Sequence, residues 1–532
     1  MVMGGDLMSK VGVRSGLTAV MVVAALVLGA CSSGSDSGSS AKSPIDSAMP
    51  PKSDAVGTAT VTGPITTGNG KIVLGPGGFD LASVGYEQNE YFLAGRANSY
   101  TSSEPLTTDG LWNAVTTDGS ADYTTRIVVR RPIDAAKFNG SVYVEWLNVS
   151  GGLDAGPDWT YGHVELIRSG FAWVGVSAQK VGISGGGNAL GAALALKNAD
   201  PVRYEPLNHP GDEFSYDMYS QAGAAVWFQN DTVLGGLKPE RVIAVGESQS
   251  AFRLSTYINA VAPLTKIFNG YLVHSRGKTG AALSASVPAP DPTLTRTDQR
   301  VPVLTFTSET DLVGKGLQYA AALQPDTETF RDWEVPGTAH ADAYNLGIGD
   351  NDAGDGKGDA ALFQAMLTPP AEVYGGIITC SSPINTGPHT YVLRNAMHAL
   401  DQWIRSGDAP ASQPRITMTS PTEIARDGQG NALGGMRTPQ VDVPVASLSG
   451  VGQTGTSFCG LFGTTTPIDE NELAMTITVT PPGATAHDSF VNVWTASLDR
   501  AIADGVILEA DRDGLVATVR NSSVLRDWAP KG

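Results

Sequence analysis

Between Arg126 and Arg405 the chain alternates short, β-branched apolar runs with runs of helical spacing, and this alternation restricts the fold more than any other feature. Residues 126–130 (RIVVR), 142–147 (VYVEWL), 171–177 (FAWVGVS), 242–245, 270–274, 303–307 and 331–335 read as strands. Residues 158–167, 212–229, 249–259 and 391–405 read as helices, the last an amphipathic closing helix stopped at Ser406-Gly407. Strands that are apolar at almost every position need cover on both faces, and intervening helices supply it. The pattern therefore predicts an α/β fold with a mainly parallel sheet flanked by helices. After Gly407 the pattern weakens. Residues 408–470 are rich in Pro, Gly and Thr, and helical spacing returns over 486–522. The expected organisation is an α/β domain over 61–407 with a C-terminal extension, 408–532, packed on it. No internal repeat is visible.

The first thirty residues read as an address. Lys10 and Arg14 precede an apolar run, 17–28, that is too short to span a bilayer comfortably. It ends Leu28-Gly29-Ala30-Cys31, which resembles a bacterial lipobox and implies cleavage before Cys31 and lipidation of that cysteine. The alternative is an ordinary secretory signal cut after Ala30, with Cys31 incidental. Residues 31–60 read as a disordered Ser/Gly/Pro tether. The protein is thus expected to be exported and lipid-anchored on the extracytoplasmic face of a bacterial membrane, touching the membrane through its anchor only. Export favours a disulfide between the two remaining cysteines, Cys380 and Cys459, over two buried free thiols. A formal charge of −18 argues against nucleic acid as a partner, because phosphate binding needs clustered Lys and Arg.

The segment 241–251 carries the chemistry. An apolar strand runs into Gly246-Glu247-Ser248-Gln249-Ser250, and a helix comes next. This resembles the nucleophile elbow of α/β-hydrolases, G-x-S-x-G, with Ser250 in place of the last glycine. The requirement is steric: a serine in a strained turn needs small residues two before and two after it. A rival, Ser177, also comes after a strand, but bulky Gln179 stands two residues on and a glycine run replaces the helix. A serine hydroxyl needs a base, and the base an orienting carboxylate. The order in such folds is Ser, acid, His. Asp311 lies just past the strand 303–307, with Glu309 as the alternative acid, and His340 lies past the strand 331–335. His163 and His398 fall inside helix-like runs. His209, His274, His389 and His487 lack the order or the loop position. An oxyanion hole would take the Gln249 N–H and a second N–H from Val149, Ser150 or Gly151, in the loop 148–152 whose glycines permit close approach.

Taken together, 85–93 (GYEQNEYFL), 145–152 (EWLNVSGG), 246–251 (GESQSA), 308–312 (SETDL), 336–340 (PGTAH) and 434–446 (GGMRTPQVDVPVA) resemble the bacterial "alpha/beta hydrolase domain" family over roughly 75–530. The resemblance implies an α/β-hydrolase fold and a Ser248–acid–His340 arrangement; it supplies no substrate. The function expected is hydrolysis of a small-molecule or lipid-like carboxylic ester, without cofactor or metal. An acyltransferase or amidase with the same residues, and a noncatalytic binding lipoprotein on the same scaffold, are the alternatives. The acidic stretch 350–356 misses the calcium-loop register, since Gly354 falls fifth and Asp355 sixth, and reads as a solvated loop. Residues 183–212 and 277–300 read as insertions, either a lid or plain surface loops. Oligomeric state is not legible.

Overall fold

Alternation within the apolar runs explains how the sheet is covered. The computed structural model describes residues 49–51, 55–75, 78–186, 192–480 and 482–528. Cys31, the leader and most of the tether lie outside the described residues. Nine strands form one sheet: β1 (Thr60–Thr62), β2 (Tyr86–Ser102), β3 (Ala114–Pro132), β4 (Ser141–Trp146), β5 (Ala172–Val176), β6 (Arg241–Glu247), β7 (Gly270–His274), β8 (Val303–Ser308) and β9 (Phe330–Val335), in the order β1-β2-β3-β5-β4-β6-β7-β8-β9. From β5 to β9 every pair is parallel, whereas β1, β2 and β3 are joined antiparallel. The sheet is thus mainly parallel, as the alternation predicts.

Successive side chains of a strand face opposite layers. Tyr143, Trp173, Ile243, Val245, Leu272, Phe306 and Trp333 pack in one core with α1 (Pro157–Arg168) and the closing helix His389–Ser406. Val142, Val144, Val174, Val242, Ala244 and Val273 pack in the other, with the helices Ser215–Phe228 and Gln249–Thr256.

Two expectations need correcting, and one long element is not announced by the apolar runs. The long hairpin β2–β3 was readable only over 126–130. Its outer part carries Asp118-Gly119-Ser120, a turn-like run, which lies at a register shift opposite Asn98 and Tyr100 rather than at a turn. Packing begins before residue 61: Val56 and Ala59 are buried and β1 starts at Thr60. The 350–356 loop is not simply solvated: Asp352 is buried and its carboxylate accepts from Arg394 Nη2 at 3.1 Å and Tyr344 Oη at 2.7 Å.

The segment after Gly407 covers the edge strand β9. Met436 N–H donates to Glu334 O at 2.9 Å, and Ile416 N–H donates to the Glu334 carboxylate at 2.7 Å. Arg415 pairs with the buried carboxylates of Asp332 and Glu334 at 2.7 and 3.2 Å. Val441, Leu448, Phe490 and Trp494 join the same core as β8 and β9. Cys380 and Cys459 form a disulfide with a Cα–Cα distance of 5.5 Å. Among the described residues no helix is long and apolar enough to cross a membrane.

Candidate active site

Parallel strands end on one rim, and the segments after β6, β8 and β9 meet there. After β6 the chain turns sharply into the helix Gln249–Thr256, with Ser248 at φ 58° and ψ −121°. A side chain rarely adopts such a backbone, so its presence on a serine marks a turn held by its surroundings. Gly246 keeps the turn uncrowded: a Cβ on it would lie 3.1 Å from Ser250 Cβ and 3.2 Å from the Ser250 carbonyl, tight enough that Ser250 would have to give way. Ser250 itself is buried against this turn. Ser248 N–H donates to His274 O at 3.0 Å, fastening the turn to the end of β7.

The Ser248 hydroxyl lies 2.7 Å from His340 Nε2, and His340 Nδ1 lies 2.6 Å from Asp311 Oδ1. Asp311 sits in the short helix Glu309–Val313 that Ser308 caps. Its second oxygen accepts from Ser308 N–H at 2.7 Å. His340 N–H donates to Thr310 Oγ1 at 3.1 Å, so the acid-bearing helix also holds the histidine loop. Glu309, the alternative acid, turns the other way. Its oxygens accept from Gly337 N–H at 2.7 Å, Gly450 N–H at 3.0 Å and Arg426 Nη2 at 2.8 Å, which ties the C-terminal segment down.

Burial alone would lower the His340 pKa, but the nearby charges of Asp311 and Glu247 outweigh it and hold it above the ordinary histidine value. Burial would raise Asp311, and the imidazole beside it keeps the carboxyl below its usual range instead. With Asp311 ionised, Nδ1 carries the proton and Nε2 is free to accept from Ser248.

Of the oxyanion candidates, Gln249 opens its helix, where an N–H has no partner within the helix. In the loop after β4, Asn148 N–H donates to Ala155 O and Gly152 N–H to Val149 O, both at 2.9 Å. Ser150 N–H is also spent, on Asn148 Oδ1 at 2.8 Å. That removes Ser150 as a donor and leaves Val149 and Gly151.

The rival Ser177 is fully buried in an ionic network, donating to Asp154 at 2.5 Å and accepting from Arg126 Nε at 2.7 Å. His163, His209 and His487 bond backbone carbonyls, and His398 pairs with Glu165. Among the described residues, no group of three His, Cys, Asp or Glu side chains is placed to hold a metal ion.

Two features behind the site were missed from the sequence. Glu247 lies against His340 Nε2. A buried chain also runs from Asp158 to His274 (2.8 Å), on to His389 (2.6 Å) and to the Ala339 carbonyl (3.1 Å). A carbonyl only accepts, so His389 Nδ1 carries a proton and its Nε2 accepts from His274 Nε2–H. One further proton then lies between His274 Nδ1 and Asp158. Burial pushes the Asp158 carboxyl well up and lowers His274 to about 3, which puts that proton on Asp158. The chain pins Ala339, the residue before His340, to the sheet. Glu247 stood in view within the pentapeptide; the chain joins residues more than a hundred positions apart and has no local signature.

Residues 61–517 match the family described as "Alpha/beta hydrolase domain". The chain belongs to this family of α/β hydrolases. Among solved structures, it is similar to the esterase Est22 (15% identity, 53% of this chain and 80% of the other, TM-score 0.28). It is also similar to XC6422 from Xanthomonas campestris, an a/b serine hydrolase without lid (14% identity, 45% and 86%, TM-score 0.26). A third is a structure from work on two fungal esterases of Rhizomucor miehei (13% identity, 47% and 75%, TM-score 0.24). No curated protein matches the chain.

Proposed function

We propose that this α/β hydrolase is a serine hydrolase that cleaves a carboxylic ester through an acyl-enzyme. The observation that carries the reading is the hydrogen-bonded line from Ser248 Oγ through His340 to Asp311, at 2.7 and 2.6 Å. Ser248 Oγ attacks the ester carbonyl carbon as its proton passes to His340 Nε2. The π electrons move onto the carbonyl oxygen, where the N–H of Gln249 and that of Val149 or Gly151 receive the charge. Collapse expels the alkoxide, which takes the proton from Nε2 and leaves as the alcohol. Water repeats the sequence on the acyl-enzyme and releases the acid. Asp311 stays ionised throughout, holding the tautomer and stabilising the imidazolium. Side chains, backbone and water supply every step, so no cofactor enters.

The substrate class is a small-molecule or lipid-like ester. Fluorophosphonate labelling, with hydrolysis of p-nitrophenyl esters of graded acyl length, tests the reading. Wild type labels and turns over, and Ser248→Ala does neither. Wild type that never labels would favour the noncatalytic binding lipoprotein. The lipid anchor is a separate proposal, supported by the Leu28–Cys31 pattern. Labelled palmitate enters wild type and not Cys31→Ser if it holds; equal incorporation ends it.

A further inference from the structure

The proposed reaction leaves one acidic side chain beside the imidazole without a role. Glu247, the residue before Ser248, is 5% exposed. Its Oε1 lies 3.4 Å from His340 Nε2, the nitrogen that also faces Ser248 Oγ. Its Oε2 accepts from Asn148 Nδ2 at 3.1 Å, and the same amide donates to the Glu247 carbonyl at 3.2 Å. Asn148 opens the loop whose Val149 and Gly151 amides remain unspent, and its Oδ1 holds Ser150 N–H. One oxygen of Glu247 therefore meets the imidazole, and the other meets the loop that would face the substrate oxygen.

We infer that Glu247 is a second carboxyl partner of His340, flanking Nε2 as Asp311 flanks Nδ1, and that it couples protonation of the imidazole to the loop 148–152. The inference rests on the serine-hydrolase reading and adds a positioning residue to it. When His340 takes the Ser248 proton, both of its N–H groups face carboxyl oxygen. The imidazolium gains a second carboxyl neighbour, to which it can pass charge, while the proton stays within reach of the leaving group.

Burial pushes Glu247 up to about 8; the imidazole opposes this, and the charge of Asp311 adds to it. The other ionisable groups packed around the pair are Asp311 after β8, His274 at the end of β7, His389 at the start of the closing helix, and Asp158 and Tyr161 on α1. All of them remain when Glu247 alone is changed. Two ionisable groups this close take up protons in linked steps that belong to the pair. Replacing the carboxylate by an amide removes a neighbour that favours the imidazolium, so the ring loses its proton at lower pH. An opposite charge at this range moves a pKa by about one to three units. Because the free base must be neutral to accept from Ser248, the acid limb of kcat/KM moves to lower pH as well.

The test compares the full-length protein with Glu247→Gln, using histidine-specific nitrogen labelling and NMR titration, with His340 assigned by its loss in His340→Asn. The titration reads His340 whether or not the protein turns over ester, so it stands apart from the labelling test at Ser248. The expected result is a His340 midpoint lower by about one unit or more. The acid limb of kcat/KM should shift in the same direction and become a single-proton fall, and Glu247→Asp should restore part of both. A folded Glu247→Gln protein with an unmoved His340 midpoint overturns the inference, even if its kcat falls. Should that variant fail to fold, Asn148→Ala carries the same test. Losing its amide makes the Glu247 carboxylate a weaker partner, so the midpoint falls by less but still falls, and an unmoved midpoint again overturns the inference.

Discussion

Asp311→Asn isolates the orienting role of the carboxylate, because both of its oxygens are committed to N–H donors. Oδ1 faces His340 Nδ1 at 2.6 Å and Oδ2 faces Ser308 N–H at 2.7 Å. An asparagine has one acceptor oxygen and one NH2 group. The Ser308 amide belongs to the backbone of a helix cap and cannot turn away, so the asparagine oxygen goes to it. The NH2 then faces His340, which must offer Nδ1 as an acceptor and carry its proton on Nε2. That tautomer cannot take the Ser248 proton. The same change in a serine protease lowers kcat by on the order of 10⁴ with the geometry intact, a barrier increase of about 5 kcal/mol. A loss of this size in kcat, with KM little changed, is expected for p-nitrophenyl ester hydrolysis measured per folded molecule by circular dichroism. Glu309→Gln is the control. It weakens the tie to Gly450 and Arg426, at a stability cost of about 1–3 kcal/mol, and leaves kcat within about tenfold. Asp311→Asn within tenfold of wild type, or a collapse of kcat in folded Glu309→Gln, would refute the assignment of the acid.

Arg126→Met leaves Glu90 and Asp154, now 3.2 and 2.6 Å from its guanidinium, buried without that cation; urea unfolding should report a loss of about 3–5 kcal/mol, and under 1 would contradict the pairing. Replacing Cys380 and Cys459 together by serine opens a crosslink across 79 residues; the chain-entropy model gives at most about 4–5 kcal/mol, read as a lower urea midpoint that reducing agent no longer changes. Burial would raise Asp352, but the Arg394 guanidinium holds it below the ordinary aspartate value. Its contribution to stability is therefore present above the unfolded-state pKa, about 3.9, and is lost as pH falls through the depressed value. Asp352→Asn should be less stable at neutral pH and lose less on acidification, and parallel stability curves for the two proteins would deny this.

The features legible in the sequence are the local ones. Ser248, Asp311 and His340 each come just after an apolar strand, and in a parallel sheet those ends share one rim. The order along the chain therefore implied a place in space. The choice between Glu309 and Asp311 depended on which way each turns from a five-residue helix, and one local cue bore on it. Ser308-x-x-Asp311 is a capping box: the Ser308 side chain bonds the Asp311 amide and the Asp311 side chain bonds the Ser308 amide. That geometry turns Asp311 back toward the start of the helix, where His340 arrives, and Glu309 away from it. The hairpin β2–β3 escaped because its outer residues are mostly polar and exposed and contain a turn-like triplet; a few buried side chains, Tyr100 and Tyr123 among them, fasten it to the helix Ser215–Phe228. The Asp158–His274–His389 chain escaped because burial from three separate elements, rather than any spacing, makes it.

The structure also bears on whether 61–407 could stand without the C-terminal extension. Glu309 is fully buried, and its partners Gly450 and Arg426 both lie beyond Gly407. Thr310 Oγ1, which accepts from His340 N–H, itself donates to Gly450 O at 2.5 Å. On β9, Asp332 and Glu334 are nearly inaccessible, and Arg415 is the cation that faces them both. Burial, with the neighbouring Asp332 charge, pushes the Glu334 carboxyl up to about 7 even with that arginine present. A chain ending at Gly407 would keep three buried acids and lose their cations, at about 3–5 kcal/mol for each broken pair. It would also bare the edge of β9 to pairing with other chains. Against a typical total stability of about 5–15 kcal/mol, these losses are enough to unfold it. Residues 55–407 expressed alone should therefore be insoluble or melt without cooperativity, with no fluorophosphonate labelling at Ser248. A soluble fragment that melts in one transition and labels there would show that the acid and base loops hold their places without the extension.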